Sequence, residues 1–379
     1  MRPRVPAPRT GPPAGSNQGA ELFAELARVV AATAGQERLR SFSLPYPRDA
    51  QLALDRMVLH CLGQGRTPPR SVPELLSWCR RTTAGDPLFR VPPDQVSPHA
   101  TLVHEVGAMP TRTCMELASA GPQGRIEQEA LGLMAGLAAR CGSTVEYRRC
   151  RSFLMDRPLV SQAERMQHGR GRWNKAVWDR VKGLYGPVPE HLRCGRTLFL
   201  CGTCGLPARK GDERAGRPGA WCEKEDCPPR VPLRLVRDPG HCLLLRRSLR
   251  VFLALPGPTE RAALAELTRA KVGHEFSPSG LGSYRIRRAD APDRLMRVYD
   301  RQQPALLAAR VGESADGPAP VTFVVVPRRQ ADDPVYRAAF EKAVDTARGG
   351  RPVLTAPEDL VRDVQACRTV AKETERDHA

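Results

Sequence analysis

The residue order predicts an α+β multidomain chain with a helical N-terminal half, a four-cysteine zinc-ribbon-like module and a C-terminal α/β domain. Three observations predict it. Apolar residues recur at helical spacing through much of residues 20–190. Cys201, Cys204, Cys222 and Cys227 bunch at metal-ligand spacing inside a polar stretch. Beyond residue 243, short apolar runs of strand length alternate with helical segments. The boundaries read as a disordered basic Pro-rich arm over 1–19, a mainly helical domain over 20–190, the zinc module over 191–235 and the α/β domain over 243–372.

In the helical half, residues 21–34 and 48–62 carry the 3.6-residue apolar period. Ser71 reads as an N-cap with Pro73 in the first turn, so a third helix begins there. Residues 82–112, rich in Pro, Asp and Gly, read as a long irregular connection. Residues 125–140 are strongly helical, and Gly142 suits a C-terminal cap. Helix and strand fit residues 145–159 equally well. Residues 160–186 read as helix, with Trp173, Trp178, Val181 and Leu184 on one side as core anchors rather than base-stacking platforms.

In the module, the short strand Leu198-Phe199-Leu200 runs into Cys201-Gly-Thr-Cys204-Gly205. Two thiolates across a tight turn, followed by glycine, form a metal knuckle. Cys222 and Cys227 supply a second pair with four residues between them rather than two. Tetrahedral Zn²⁺ takes four thiolates and contributes folding energy, which a loop as polar as residues 210–219 requires. Four thiolates leave no open coordination position, so the zinc is structural. Cys194, His191 and His241 are within reach in sequence as substitute ligands. A redox Cys-x-x-Cys is the rival reading, but that motif opens a helix, and Gly205-Leu206-Pro207 follows here.

The formal net charge is +18, which favours phosphate backbones as partners; a background composition rich in Arg and Pro is the alternative. No run of 18 apolar residues exists, and the basic N-terminus lacks an apolar core of signal-peptide type. A cytoplasmic chain without membrane association is expected.

In the C-terminal part, the turn Pro256-Gly257-Pro258-Thr259-Glu260 opens a helix reaching about Ala270. Strands follow at 274–276, 284–288 and 295–299, then a helix at 304–311. The apolar run 321–327 reads as a central strand buried on both faces. A helix over 334–348, a strand at 352–354 and a helix over 357–372 close the chain. Helix, three strands, helix, strand is the order of the PD-(D/E)xK nuclease core.

Several segments between 145 and 350 carry a more specific likeness: R-S-F-L-M-D-R-P-L-V, G-L-Y-G-P-V-P ahead of the cysteines, then P-G-P-T-E, S-Y-R-I, V-Y-D-R-Q-Q-P-A-L-L-A and V-V-V-P. In that order the chain resembles the restriction-endonuclease-like protein associated with pPIWI-RE, the Argonaute-like protein of a bacterial three-gene island that also encodes a helicase. The resemblance implies a role in prokaryotic defence, with DNA (or RNA), the Argonaute-like protein and the helicase as partners. Active members of the fold hold Mg²⁺ on strand acids, with a glutamate on the first helix. Glu260 matches that glutamate. The second-strand aspartate falls on Arg285, the third-strand acid on Arg297, the following lysine on Tyr299, and Asp300 matches a trailing aspartate. The resemblance therefore implies a degenerate, non-cleaving site with Glu260 and Asp300 as vestigial catalytic residues. Arg285 and Arg297 would contact nucleic acid. The alternative is a Mg²⁺-dependent endonuclease using Glu260, Asp300 and Gln302; Asp293 lies too close in sequence to sit on a preceding strand.

Overall fold

The computed structural model describes residues 18–33, 45–121, 124–166, 174–212, 217–228, 232–277, 280–287, 293–313, 321–345 and 352–366. Of the arm expected over 1–19, residues 1–17 lie outside the described residues, as does Trp173, while Gln18 and Gly19 are not arm but the start of the first helix.

The first half is built from α1 (Gln18–Thr33), α2 (Arg48–Gly63), α3 (Val72–Arg81), α4 (Arg112–Ser119), α5 (Ile126–Arg140) and α6 (Thr144–Asp156). Side-chain caps start several of them. Ser71 accepts the Glu74 N–H at 3.3 Å, Thr111 the Cys114 N–H at 3.0 Å and Ser143 the Glu146 N–H at 3.2 Å. Ser143 with Glu146 three residues on is the capping-box signature, and the Ser143 cap decides the ambiguous stretch after residue 145 in favour of helix. Glu146 also takes the Gly142 N–H at 2.9 Å. Gly142 therefore serves the start of α6; the residue closing α5 is Cys141, in extended conformation.

The connection over 82–111 is irregular, as expected, yet it supplies core. Leu88, Phe89, Val96 and Leu102 are buried with the helices, and Phe89 meets Phe23 edge-on at 4.9 Å. Gly19 lies so close to the Phe89 carbonyl that a Cβ would sit 2.3 Å from its oxygen. Any side chain there would force α1 off this core.

The single helix expected over 160–186 is broken. β1 (Leu159–Ser161), α7 (Gln162–Met166), α8 (Lys175–Val181) and β2 (Tyr185–Pro187) occupy that span. Trp178 packs beside Phe153 and Tyr185, in the core role expected of it.

The module holds β3 (Arg193–Cys194), β4 (Thr197–Cys201), β5 (Pro207–Asp212), β6 (Arg217–Cys222) and β7 (Leu233–Arg237), all antiparallel. β7 runs along one edge of β4, and β3 and β5 share the other.

Residues 242–255 depart from the expected boundary at 243. β8 (Cys242–Leu245) lies between β1 and β2 in a three-stranded antiparallel sheet. α9 (Arg247–Leu249) and the π-helical turn Arg250–Ala254 then bury Leu249 and Leu253 in the core of the helical half. The physical reason is pairing: β8 finds its strand partners in β1 and β2, and the apolar residues that follow it are carried into the core of the helical half.

The α/β domain starts at α10 (Gly257–Arg269) and continues through β9 (His274–Phe276), β10 (Ser283–Ile286), β11 (Arg294–Val298), α11 (Pro304–Gly312), β12 (Val321–Val325), α12 (Arg328–Ala331), α13 (Pro334–Asp345) and β13 (Val353–Thr355). Residues 360–366 are helical. The sheet runs β13-β12-β11-β10-β9. β9, β10 and β11 form an antiparallel meander, and β12 and β13 add parallel to β11. β12 is buried on both faces, as its unbroken apolar run predicts. Phe323 and Val325 pack under α10, while Val324 and Val326 pack under α11 and α13. Removing the Phe323 ring would cost about 3–5 kcal/mol. No helix among the described residues is long and apolar enough to cross a membrane.

Candidate metal centre and the buried acids of the α/β domain

The sulfur atoms of Cys201, Cys204, Cys222 and Cys227 all lie within 4.8 Å of one another. Those of Cys204 and Cys222 are 4.0 Å apart. Zn–S bonds of about 2.3 Å in a tetrahedron separate their sulfurs by roughly 3.8 Å, so the set fits a metal with small adjustments. The knuckle geometry is that expected: the Gly205 N–H donates to the Cys201 carbonyl at 2.9 Å, and Gly205 takes φ +71°. In the second pair Glu225, at φ +60°, closes the turn with its N–H on the Cys222 carbonyl at 2.9 Å. Donation from the Cys204 thiol, then the Lys224 N–H, the Cys227 thiol and the Glu225 N–H, pull the Cys222 thiol below its ordinary value against the effect of burial. A soft four-sulfur set is the chemistry of a structural zinc site. Cys194, His191 and His241 are not in the cluster.

The four residues between Cys222 and Cys227 explain the long spacing. Glu223 takes the buried Arg250 guanidinium through both oxygens, at 2.6 and 2.8 Å. Glu225 accepts the Arg112 backbone N–H at 3.1 Å and the Trp221 indole N–H at 3.3 Å, and burial pushes its carboxyl up to about 7. Asp226 pairs with Arg112 and Arg329. The second knuckle is thus both a metal turn and an acidic plug that docks on its neighbours.

In the α/β domain, β10–β11 pairing sets Ser283 opposite Arg297 and Arg285 opposite Leu295. Arg297, Tyr299 and Asp300 line one small cavity of about 20 Å³, with Gly280, Gly282 and Ser283 across from them. Glu260, on α10, lies behind Gly282: a Cβ there would be 3.3 Å from its carboxylate. Arg285 does not join them. Its side chain is 58% exposed at the far end of β10, 3.9 Å from Asp293. Arg297 is 6% exposed and faces the cavity. Of the two arginines expected to meet nucleic acid, only Arg285 is on the surface; both lie on the same face of the sheet, but Glu127 and Phe252 of the helical half line the cavity over Arg297.

Both acids are held by arginines of the helical half. Arg151 of α6 clasps Glu260 with both terminal nitrogens, one at 2.6 Å, and also donates to the Leu281 carbonyl. The Tyr284 hydroxyl donates to the same carboxylate at 2.5 Å. Burial works against the Arg151 charge, but Glu260 outweighs it and holds Arg151 above its ordinary value. Arg112 of α4 donates to Asp300 at 2.9 Å and to Asp226, so one guanidinium joins the helical half, the metal module and the sheet. Glu116, one turn on, accepts the backbone N–H groups of Gln302 and Gln303 at 2.7 and 2.9 Å. The Gln302 side chain donates to Asp226 at 3.3 Å.

Arg112 and Arg151 belong to no sequence motif, yet each leaves a signal. Arg112 is the first residue of α4, where a cation opposes the helix dipole unless a strong partner holds it. Arg151 shares the buried face of α6 with Tyr147, Cys150 and Leu154.

By fold and site, the chain is an α+β protein in which a four-cysteine centre and buried arginine–carboxylate pairs fasten a mixed five-stranded sheet to a helical half. A family model described as pPIWI_RE three-gene island domain Y matches residues 22–161, a likeness of this part of the chain that supports an association with that island. The match covers the helical half, and it names domain Y rather than the restriction-endonuclease-like protein. No curated protein and no solved structure matches the chain.

Proposed function

We propose that the chain is a nucleic-acid-holding, non-cleaving subunit of a pPIWI-RE-type defence island, built on a degenerate restriction-endonuclease-like domain. One observation carries the reading: Glu260 and Asp300, the acids remaining at nuclease positions, are each spent in a buried ion pair with an arginine of the helical half. Mg²⁺ needs hard oxygen ligands with free lone pairs, and a cation entering here would have to displace guanidinium groups. The cavity of about 20 Å³ is on the scale of one water molecule, too small for a hydrated metal and a phosphodiester. The helix, three-strand meander, helix and parallel strand support the PD-(D/E)xK assignment.

Holding would fall to exposed cations such as Arg285, backed by the net charge of +18. The domain Y match supports an association with other proteins of the island; in this reading those are the Argonaute-like protein and the helicase, met in the cytoplasm. Zinc would be structural: Cys201, Cys204, Cys222 and Cys227 would hold it, and it would supply folding energy to the module.

The test uses the full chain on plasmid and on labelled duplex and single-stranded DNA and RNA. Expected are binding that weakens steeply with salt and no nicking with Mg²⁺ or Mn²⁺. Salt-insensitive or absent binding overturns the holding role. Nicking that disappears in Glu260→Gln or Asp300→Asn establishes an endonuclease instead.

A further inference from the structure

A groove of about 1200 Å³ opens in the helical half, walled by α1, α2, α5, β2 and β8. It shares no lining residue with the small cavity of the α/β domain.

Its polar floor is His191, Arg247 and Ser248. Among the described residues, Ser248 Oγ, His191 Nδ1 and both Nε and Nη1 of Arg247 are buried without a hydrogen-bond partner. Ser248 is only 2% exposed. Buried polar atoms in folded proteins are nearly always paired, so four orphans on three residues that line one groove, closed off in this conformation, point to a partner that is not part of the chain.

Charge points the same way. Arg247 and Arg250 share a single carboxylate, Glu223. Arg250 takes both its oxygens, leaving Arg247 Nε at 3.7 Å, beyond hydrogen-bond reach. The remaining Arg247 contact is its Nη2 on the Pro110 carbonyl at 3.3 Å. Two guanidinium groups pair with one carboxylate, while Glu225 acts on Arg247 without an ion pair, and a positive charge so weakly compensated is costly unless an anion arrives. Burial, and then repulsion from Arg247, Arg209 and Arg250, presses His191 down to about 4, so it is neutral and can donate one ring N–H.

At the rim, Glu25 and Glu129 already face Arg56 at 2.7 Å and Arg246 at 3.7 Å, with Asp49 as the further acid. Val29, Met115 and Leu244 supply an apolar wall.

We propose that this groove binds a phosphomonoester, with Arg247 and Ser248 contacting the phosphate and the apolar wall taking an attached nucleoside. A guanidinium fork matches phosphate oxygens, and the volume admits a nucleotide. The phosphate could be carried by a free nucleotide or by the 5′ end of a strand.

The experiment is calorimetric titration of the full chain with adenosine monophosphate, with a 5′-phosphorylated oligonucleotide and with its 5′-hydroxyl counterpart, against chloride at matched ionic strength. Expected is binding of the mononucleotide, or a preference for the phosphorylated strand over the hydroxyl strand; the stronger arm identifies the source. Arg247→Gln should weaken it about tenfold or more, and Ser248→Ala less. Because Arg247→Gln removes an under-paired buried cation, its melting temperature should stay at or above that of the native chain, so lost binding is not lost folding. Absence of binding at millimolar ligand, an effect equalled by chloride, or unchanged affinity in Arg247→Gln would overturn the proposal. None of these outcomes bears on duplex holding through Arg285, which is read on a different surface.

Discussion

The four-cysteine cluster and the small cavity of the α/β domain are both built around candidate ligands, and they differ in where those ligands find their partners. The cysteines come from two short turns whose spacing already brings the sulfurs within 4.8 Å. The acids Glu260 and Asp300 find theirs 109 and 188 residues away along the chain. A ligand set closed by local turns keeps its chemistry free for a metal. An acid reached by a distant arginine has become part of the structure that holds domains together.

The comparison can be pressed hardest at the cysteines. Cys222→Ser should abolish stoichiometric zinc by elemental analysis and melt the module. It carries the largest expected loss, since structural zinc contributes on the order of 10 kcal/mol in small metal-folded units. It should also loosen Arg250 and Arg112, because Glu223, Glu225 and Asp226 ride on the same turn.

Next is Arg112→Met, which leaves Asp300, Asp226 and Glu116 buried without their shared cation. A loss of about 3–5 kcal/mol in denaturant unfolding is expected. A change within experimental error would mean that the three-way junction contributes no cohesion.

A smaller effect is expected from pH. Burial pushes the Glu127 carboxyl up, but Arg301 and Arg310 outweigh it and hold Glu127 below its ordinary range. A depressed carboxylate contributes stability that is complete above its unfolded value, near 4.5, and is lost as pH falls through the folded one. Native chain should therefore lose more stability than Glu127→Gln between pH 5 and 3 (roughly the window set by such a shift). Parallel pH curves for the two would contradict this.

The boundary between what was legible and what was not follows the same division. Helical periodicity located α1, α2, α3 and α5, and strand-length apolar runs located β9 to β13 within a few residues. The cysteine cluster was readable whole because its geometry is set by adjacent turns. The Ser143-x-x-Glu146 signature is legible in the sequence and favours helix for α6. The break between α7 and α8 was not readable from apolar spacing, since β1 and β2 exist only by pairing with β8, more than fifty residues on. The same long-range pairing drew residues 242–255 out of the α/β domain. Motif positions located Arg297 in the strand, but only tertiary packing shows that it is closed off from solvent, whereas Arg285, two pairs along the same ladder, is exposed.

The claim that Glu260 is a clamp rather than a metal ligand is tested most directly by a double-mutant cycle on Arg151 and Glu260, read by denaturant unfolding of the full chain. Arg151→Met and Glu260→Gln should each cost about 3–5 kcal/mol, and the double variant clearly less than their sum, giving a coupling above about 1.5 kcal/mol. Additive losses, with a coupling below about 0.5 kcal/mol, would mean that the pair does not hold the domains together.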